Sequence, residues 1–98
     1  MAEQTPSVGR IVHYRLAEQD VDAINQCRTA TVGSDGVHVH YGNPPAAGDV
    51  YPAMVVRMFH PSVTTANLQV FLDGNDTCWA TSRMEGEKPG QWQWPERV

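Results

Sequence analysis

The sequence predicts a small, mainly β protein, an SH3-like barrel with one short inserted α-helix. Apolar and polar residues alternate over several short segments, the period of a half-buried strand. One segment near the N-terminus has helical spacing instead, and short turn signals separate the segments that follow it, as in a tight antiparallel meander. The same order of elements leaves one alternative, an α+β roll with the helix packed across the sheet.

The first predicted strand covers residues 8–16, which are rich in β-branched and aromatic side chains. Successive strand residues point to opposite faces, so Val12, Tyr14 and Leu16 share one face. We expect that face to enter the core.

The predicted helix covers residues 18–28, which contain neither glycine nor proline. Val21, Ile24 and Arg28 recur there at helical spacing, and acidic residues near the start suit the helix dipole. Residues 29–36 are expected to form a loop.

Four further strands are predicted after the loop, and a fifth segment closes the chain. The run at residues 73–76 (DGND) is the strongest hairpin signal. Gly42-Asn43-Pro44-Pro45 breaks regular structure because proline cannot donate a backbone hydrogen bond. The predicted strands cover residues 37–41, 50–59, 66–72, 77–83 and 91–94.

Length and composition limit the classes of protein. A chain of 98 residues is one domain, residues 1–98, in which residues 1–5 are expected to fray. The formal charge is −4 and Lys88 is the only lysine, which argues against nonspecific nucleic-acid binding. No segment is apolar enough for a transmembrane helix or a secretory signal, so we expect a cytoplasmic protein, no membrane partner and two thiols at Cys27 and Cys78.

Several motifs along the chain carry a family resemblance. They are GRIVHY at residues 9–14, DAIN at 22–25, HYGN at 40–43, FLDGND at 71–76, Trp79, and PGQWQWP at 89–95. On these motifs the whole chain resembles a family of small uncharacterised proteins of tailed bacteriophages and prophages. The resemblance implies a phage origin and a place in the cytoplasm of an infected bacterium. Ala17 stands where such proteins often carry Ser or Thr. The alanine has no side-chain oxygen, so a helix N-cap that stabilises by about 1 kcal/mol is expected to be missing.

Residues that could carry metal or catalytic chemistry have simpler interpretations. His38 and His40 would share a strand face and could hold zinc, but no third ligand has motif spacing. Cys27 has no base near it in sequence and lies beside the apolar side of the helix, where a cysteine is usually a small buried side chain. Asp73 and Asp76 fit a hairpin turn better than a calcium loop. We therefore expect no enzyme activity, metal or cofactor.

The candidate binding residues are aromatic and polar. Trp79, Trp92 and Trp94 are interpreted first as core residues. Because three exceed what so small a core strictly needs, the alternative is that at least one ring faces a ligand. If the segment after the first strand folds over the barrel, its polar residues could converge with Arg57 on one pocket; alternatively they cap the helix and hold the loop. The candidate ligand-binding residues are Asp22, Asn25, Arg28, His40, Asn43, Asp49, Arg57, Trp79 and Trp92.

Two functions follow as hypotheses. The first is a non-catalytic phage accessory protein that sequesters a small nucleotide-like immune signal, an anti-defence sponge. The second is a protein-interaction module that binds a host protein or decorates the virion. A homo-oligomer is compatible with either function.

Overall fold

The computed structural model describes residues 6–33, 43–60, 63–74 and 76–95. The described strands form one five-stranded antiparallel sheet in the order β4-β3-β2-β1-β5. The expected mainly β architecture with one helix is confirmed. The elements are β1 (Ile11–Arg15), α1 (Glu18–Gly33), β2 (Val50–Met58), β3 (Ala66–Phe71), β4 (Thr77–Arg83) and β5 (Trp92–Gln93).

The element boundaries differ from the prediction mainly at the helix. Helix α1 continues to Gly33, so the loop expected at residues 29–36 was wrong for residues 29–33. Nothing between Arg28 and Gly33 breaks a helix, and glycine is the residue that commonly ends one. Residues 1–5 and the strand expected at 37–41 lie outside the described residues.

The core lies on one face of the sheet. Val12, Tyr14 and Leu16 are fully buried, as their alternation predicts, and Ile24 brings helix α1 against the same core. The other core side chains come from the meander and the last strand: Ala53, Val55, Ala66, Leu68, Val70, Leu72, Ala80 and Trp92. Nothing in the part of the chain described here forms a helix long and apolar enough to span a membrane.

Trp92 fills the core at the last strand. Its indole N–H donates to the Thr64 carbonyl at 3.1 Å, so its one polar atom is satisfied. Trp94 packs edge-on against it at 5.5 Å between ring centroids, and the Arg10 guanidinium lies over Trp94 at 4.9 Å. The Trp92 backbone N–H also donates to the Met84 carbonyl, which links the end of β4 to β5.

Two bulges bend the long strands. In β2 the register shifts between Val55 and Arg57, and in β4 it shifts near Ser82. Ser82 has a φ of 56°, a left-handed conformation that non-glycine residues seldom adopt. The side-chain oxygen of buried Asn67 accepts the Ser82 N–H at 2.8 Å, so a side chain replaces the strand partner that the bulge removes.

The buried carboxylate of Asp20 joins three parts of the fold. It accepts the Tyr14 hydroxyl at 2.5 Å, the backbone N–H of Ala17 at 2.8 Å and an Arg83 N–H at 3.0 Å. Strand β1, the start of α1 and the end of β4 therefore meet on one side chain that is only 4% exposed. Burial and the Asp20 carboxylate raise the pKa of Tyr14 well above its usual value, so the hydroxyl stays protonated and donates.

Asp20 also replaces part of the missing helix cap. Ala17 has no side-chain acceptor, but its carbonyl accepts the backbone N–H groups of Asp20 and Val21. Asp20 reaches back to the Ala17 N–H, which is one half of the reciprocal arrangement known as a capping box. Three residues separate the two partners, the spacing of that motif.

Asp20→Ala is expected to lower the free energy of unfolding by about 3–5 kcal/mol, because Arg83 would keep a charge without its buried partner. Asp22→Ala is the matched control, since Asp22 is exposed on the same helix turn and surface substitutions usually change stability by under about 0.5 kcal/mol. Urea unfolding followed by tryptophan fluorescence measures both. Equal losses in the two variants would contradict the role assigned to Asp20.

Candidate functional site

Arg28 forms a two-point ion pair with the β3–β4 hairpin. Its Nε donates to Asp76 Oδ2 at 2.9 Å and its second guanidinium nitrogen donates to Asp76 Oδ1 at 3.0 Å. This fork-to-carboxylate geometry is the strongest common form of ion pair. The Arg28 guanidinium also lowers the pKa of the Asp76 carboxyl, chiefly through these hydrogen bonds.

Asn43 is tied to the same hairpin. Its amide donates to Asp73 Oδ2 at 2.7 Å and its backbone N–H donates to the Asp73 carbonyl at 3.0 Å. Its own carbonyl accepts an Arg28 N–H at 3.2 Å. Helix α1, the chain at residue 43 and the hairpin are thus held together by polar contacts.

Asp49 and Tyr51 complete this end of the sheet. Asp49 Oδ2 accepts the Ala46 backbone N–H at 3.0 Å and the Tyr51 hydroxyl at 3.3 Å. Burial, followed by the nearby Asp49 carboxylate, raises the pKa of Tyr51, and Asp73 and Arg28 also act on it electrostatically. We call this group the hairpin cluster: Arg28, Asn43, Asp49, Tyr51, Asp73 and Asp76.

The structure therefore brings three of the candidate ligand-binding residues, Arg28, Asn43 and Asp49, to one end of the sheet. Each of them makes a contact that holds helix, loop or hairpin in place. The sequence left this alternative open, and the contacts favour it.

The other polar candidates lie elsewhere. Asp22 and Asn25 are exposed on α1, and Asp22 lines only a shallow, open depression beside the helix. Arg57 lies on β2 with its guanidinium 5.3 Å from the Phe59 ring centre. His40 is outside the described residues.

Of the two candidate tryptophans, only Trp79 reaches the surface. Trp92 is fully buried in the core, whereas the Trp79 side chain is 63% exposed on β4. The first interpretation, that all three rings fill the core, is therefore wrong for Trp79.

The two cysteines lie in different environments. Cys27 is exposed rather than buried, because the apolar side of α1 that meets the core is centred on Ile24. Cys78 is half-buried against the core, and burial raises its pKa. The described part of the chain contains no group of three metal-ligating side chains; His38 and His40 lie outside it.

The sheet face opposite the core carries several exposed apolar side chains among polar ones. Its central row crosses four strands through paired positions, Ile11, Met54, Gln69 and Trp79. Ile11 is 43% exposed and Trp79 63%. No described element of the chain covers this row.

Further apolar side chains continue the same face, and we call the whole surface the outer face. Along β2 and β3 the exposed members are Val50, Val56 and Phe71, and Phe59 follows at the end of β2. The outward charged or titratable residues on the described strands are His13, Arg15 and Arg57; none is Asp or Glu.

Comparison with known proteins adds no relative. No family model, no curated protein and no solved structure matches the chain. The resemblance to phage proteins stays a prediction from the motifs.

Sequence reasoning missed the partners of the polar residues and the Asp20 contacts. The sequence did contain a signal for Asp20. It lies three residues after Ala17 at the N-cap position, which is the spacing of a capping box. Asp73 and Asp76 were assigned only to a turn, and nothing in their spacing to Arg28 or Asn43 predicts the contacts across the fold.

A double-mutant cycle on Arg28 and Asp76 is expected to give a coupling energy of about 1.5–3 kcal/mol, the range for charge-assisted hydrogen bonds. The variants are Arg28→Ala, Asp76→Ala and the double change, each measured by urea unfolding. Independent, additive losses would show that the ion pair does not hold the hairpin to α1.

The stability of the domain should also depend on the ionisation of Asp76. Its folded-state pKa is lowered, so its stabilising effect is present above the unfolded value of about 3.9 and is lost as the pH falls below it. Between about pH 4 and pH 2, wild type should lose more unfolding free energy than Asp76→Asn, which has no carboxyl there to titrate. Parallel pH profiles for the two proteins would contradict this assignment.

Proposed function

We propose that this protein is a non-catalytic interaction module that binds another protein through the outer face of its sheet. One observation carries the proposal: a largely exposed tryptophan, Trp79, shares with Ile11 and Phe71 a sheet face that no described element covers. Contiguous exposed apolar surface usually marks a place of interaction.

The residue types on the outer face suit a protein partner. Tryptophan, phenylalanine, methionine and arginine are the residues enriched at the centres of protein interfaces. Met54 lies in the middle of the central row, and a flexible thioether adapts to varied surfaces. Trp79 provides a large, rigid ring of the kind that fills a pocket on a partner.

The charge of the outer face indicates which kind of protein surface would bind to it. The chain has a formal charge of −4, yet the charged side chains that point outward from the strands are cationic. Acidic residues lie instead on α1 and in the hairpin cluster, and Glu85 and Glu87 lie between β4 and β5. We therefore propose a partner with an apolar patch bordered by carboxylates, since opposite potentials across an interface favour association.

The finer fold belongs to the same proposal. We infer that the sheet curls into a partly open SH3-like barrel, supported by the bridge between Glu85, which follows β4, and Trp92 in β5. Residues 77–81 of β4 stay at the edge of this barrel. The phage origin and a cytoplasmic location are proposed from the sequence motifs alone.

Sequestration of a small nucleotide-like signal is the second candidate. It is supported by the convergence of Arg28, Asn43 and Asp49 at one end of the sheet. We place it second because Asp76 already occupies the Arg28 fork that would bind a phosphate.

Two substitutions on the outer face are expected to weaken partner binding. Trp79→Thr should reduce affinity by roughly thirtyfold or more, the effect of losing an interface anchor of about 2 kcal/mol. Ile11→Thr should reduce the affinity less. Threonine is the replacement in both variants because it favours strands. Val8→Thr is the matched control, because Val8 is as exposed as Trp79 but lies in a turn before β1.

The partner is identified first by photo-crosslinking from a reactive amino acid at Met54, with the same group at Gln26 on α1 as a control. Binding is then measured by calorimetry with the purified partner. Crosslinking to one acidic protein from Met54 alone, lost in Trp79→Thr, would support the proposal. Crosslinking to nucleic acid, or equal crosslinking from Gln26, would overturn it. A rise in the unfolding midpoint with cyclic dinucleotides or mononucleotides would favour the second candidate.

A further inference from the structure

Among the described strands, β4 stands at one edge of the sheet, and the bulge near Ser82 at its end is its one edge-blocking feature. It stands last in the strand order, and residues 77–82 contain no charged residue and no proline. Natural edge strands are commonly blocked by lysine, proline, bulges or short length. The opposite edge, β5, is only two residues long.

The hydrogen-bond pattern between β3 and β4 shows which backbone N–H and C=O groups of β4 point away from β3. The Leu72 N–H donates to the Asp76 carbonyl, so this antiparallel pair is hydrogen-bonded. Because hydrogen-bonded and non-hydrogen-bonded pairs alternate, Val70–Cys78 and Leu68–Ala80 are also hydrogen-bonded pairs. The N–H and C=O groups of the residues between them, Thr77 and Trp79, therefore point away from β3.

The side chains of the same strand are symmetric about Trp79. Reading outward in both directions, the chain has a small residue, Cys78 or Ala80, and then a threonine, Thr77 or Thr81. Two identical strands that pair antiparallel about a two-fold axis must be self-complementary in this way. The two Trp79 rings would then meet at the axis, and each Thr77 would face Thr81 of the other copy.

Other registers fit less well. Centring the axis on Ala80 would place Cys78 opposite Ser82 and Thr77 opposite Arg83, so the paired run would meet the bulge near Ser82. Centring it on Thr81 would place Trp79 opposite Arg83, which pairs with Asp20, and would meet the bulge at Ser82. Centring it on Thr77 would leave Thr81 beyond the paired run and draw the acidic hairpins of the two copies together.

We propose that this protein forms a two-fold symmetric homodimer by antiparallel pairing of β4 with β4 of a second copy, centred on Trp79. Directly opposed strand residues share a sheet face, so both outer faces lie on the same side. The dimer presents one continuous surface across both sheets. Cross-strand aromatic and threonine pairs add to the backbone hydrogen bonds.

A charge exchange tests the register. In Thr77→Lys/Thr81→Lys, each lysine faces a lysine of the other copy, and the dimer dissociation constant should rise roughly tenfold or more. In Thr77→Lys/Thr81→Glu, each lysine faces a glutamate, and dimerisation should return to within about threefold of wild type. Both variants keep Trp79 and the other apolar residues of the outer face.

Sedimentation equilibrium gives the dissociation constants, and urea unfolding confirms that each variant is folded. If a double variant does not fold, single variants are used instead. Thr77→Lys alone is compared with its equimolar mixture with Thr81→Glu, and Thr77→Glu alone with its equimolar mixture with Thr81→Lys. Dimerisation that follows the sign of the paired charges supports the proposal. A monomeric wild type, or equal weakening by like and opposite charges, overturns it. Neither readout depends on the protein partner proposed above.

Discussion

The Asp20 carboxylate is the contact on which the arrangement of helix and sheet depends. Only Leu16 and Ala17 separate strand β1 from α1, and Ala17 has no side-chain acceptor to cap the helix. The Asp20 carboxylate accepts the Ala17 N–H, the Tyr14 hydroxyl and an Arg83 N–H. Transferring this carboxylate from water to a buried position is costly unless all of its partners are present. Strand β1, the start of α1 and the end of β4 must therefore assemble together.

The two faces of the sheet consequently have different roles. The core face is filled by side chains from the strands and α1, and the Trp92 indole and the Asp20 carboxylate have hydrogen-bond partners there. The hairpin cluster uses its charges to hold α1 and the chain near Asn43 against the hairpin. No described element covers the apolar side chains of the outer face, and Trp79 and Ile11 are exposed there. These side chains add little to the packing of the fold, which is why we propose that a partner binds there.

Local periodicity was sufficient to predict the elements, since alternation identified the strands and their core residues, as at Val12 and Tyr14. It was insufficient for the end of α1, because residues 29–33 lack a breaker and the helix extends to the first glycine. Long-range polar pairs such as Arg28 with Asp76 depend on how elements approach in space, which no local pattern records. The exposure of Trp79 and burial of Trp92 likewise depend on register rather than on residue type.

Hydroxyl-radical footprinting tests the central claim, that the outer face is the binding surface and the hairpin cluster is structural. The tagged protein is oxidised in an extract of cells that naturally express it. The reference sample is the purified protein, dimer or monomer, oxidised at the same concentration. Met54, Phe59 and Phe71 report on the outer face, Tyr51 on the hairpin cluster, and Met84 on neither. The account predicts that extract protects the three outer-face residues and leaves Tyr51 and Met84 unchanged. Protection of Tyr51 with Met54 and Phe71 still reactive would contradict it.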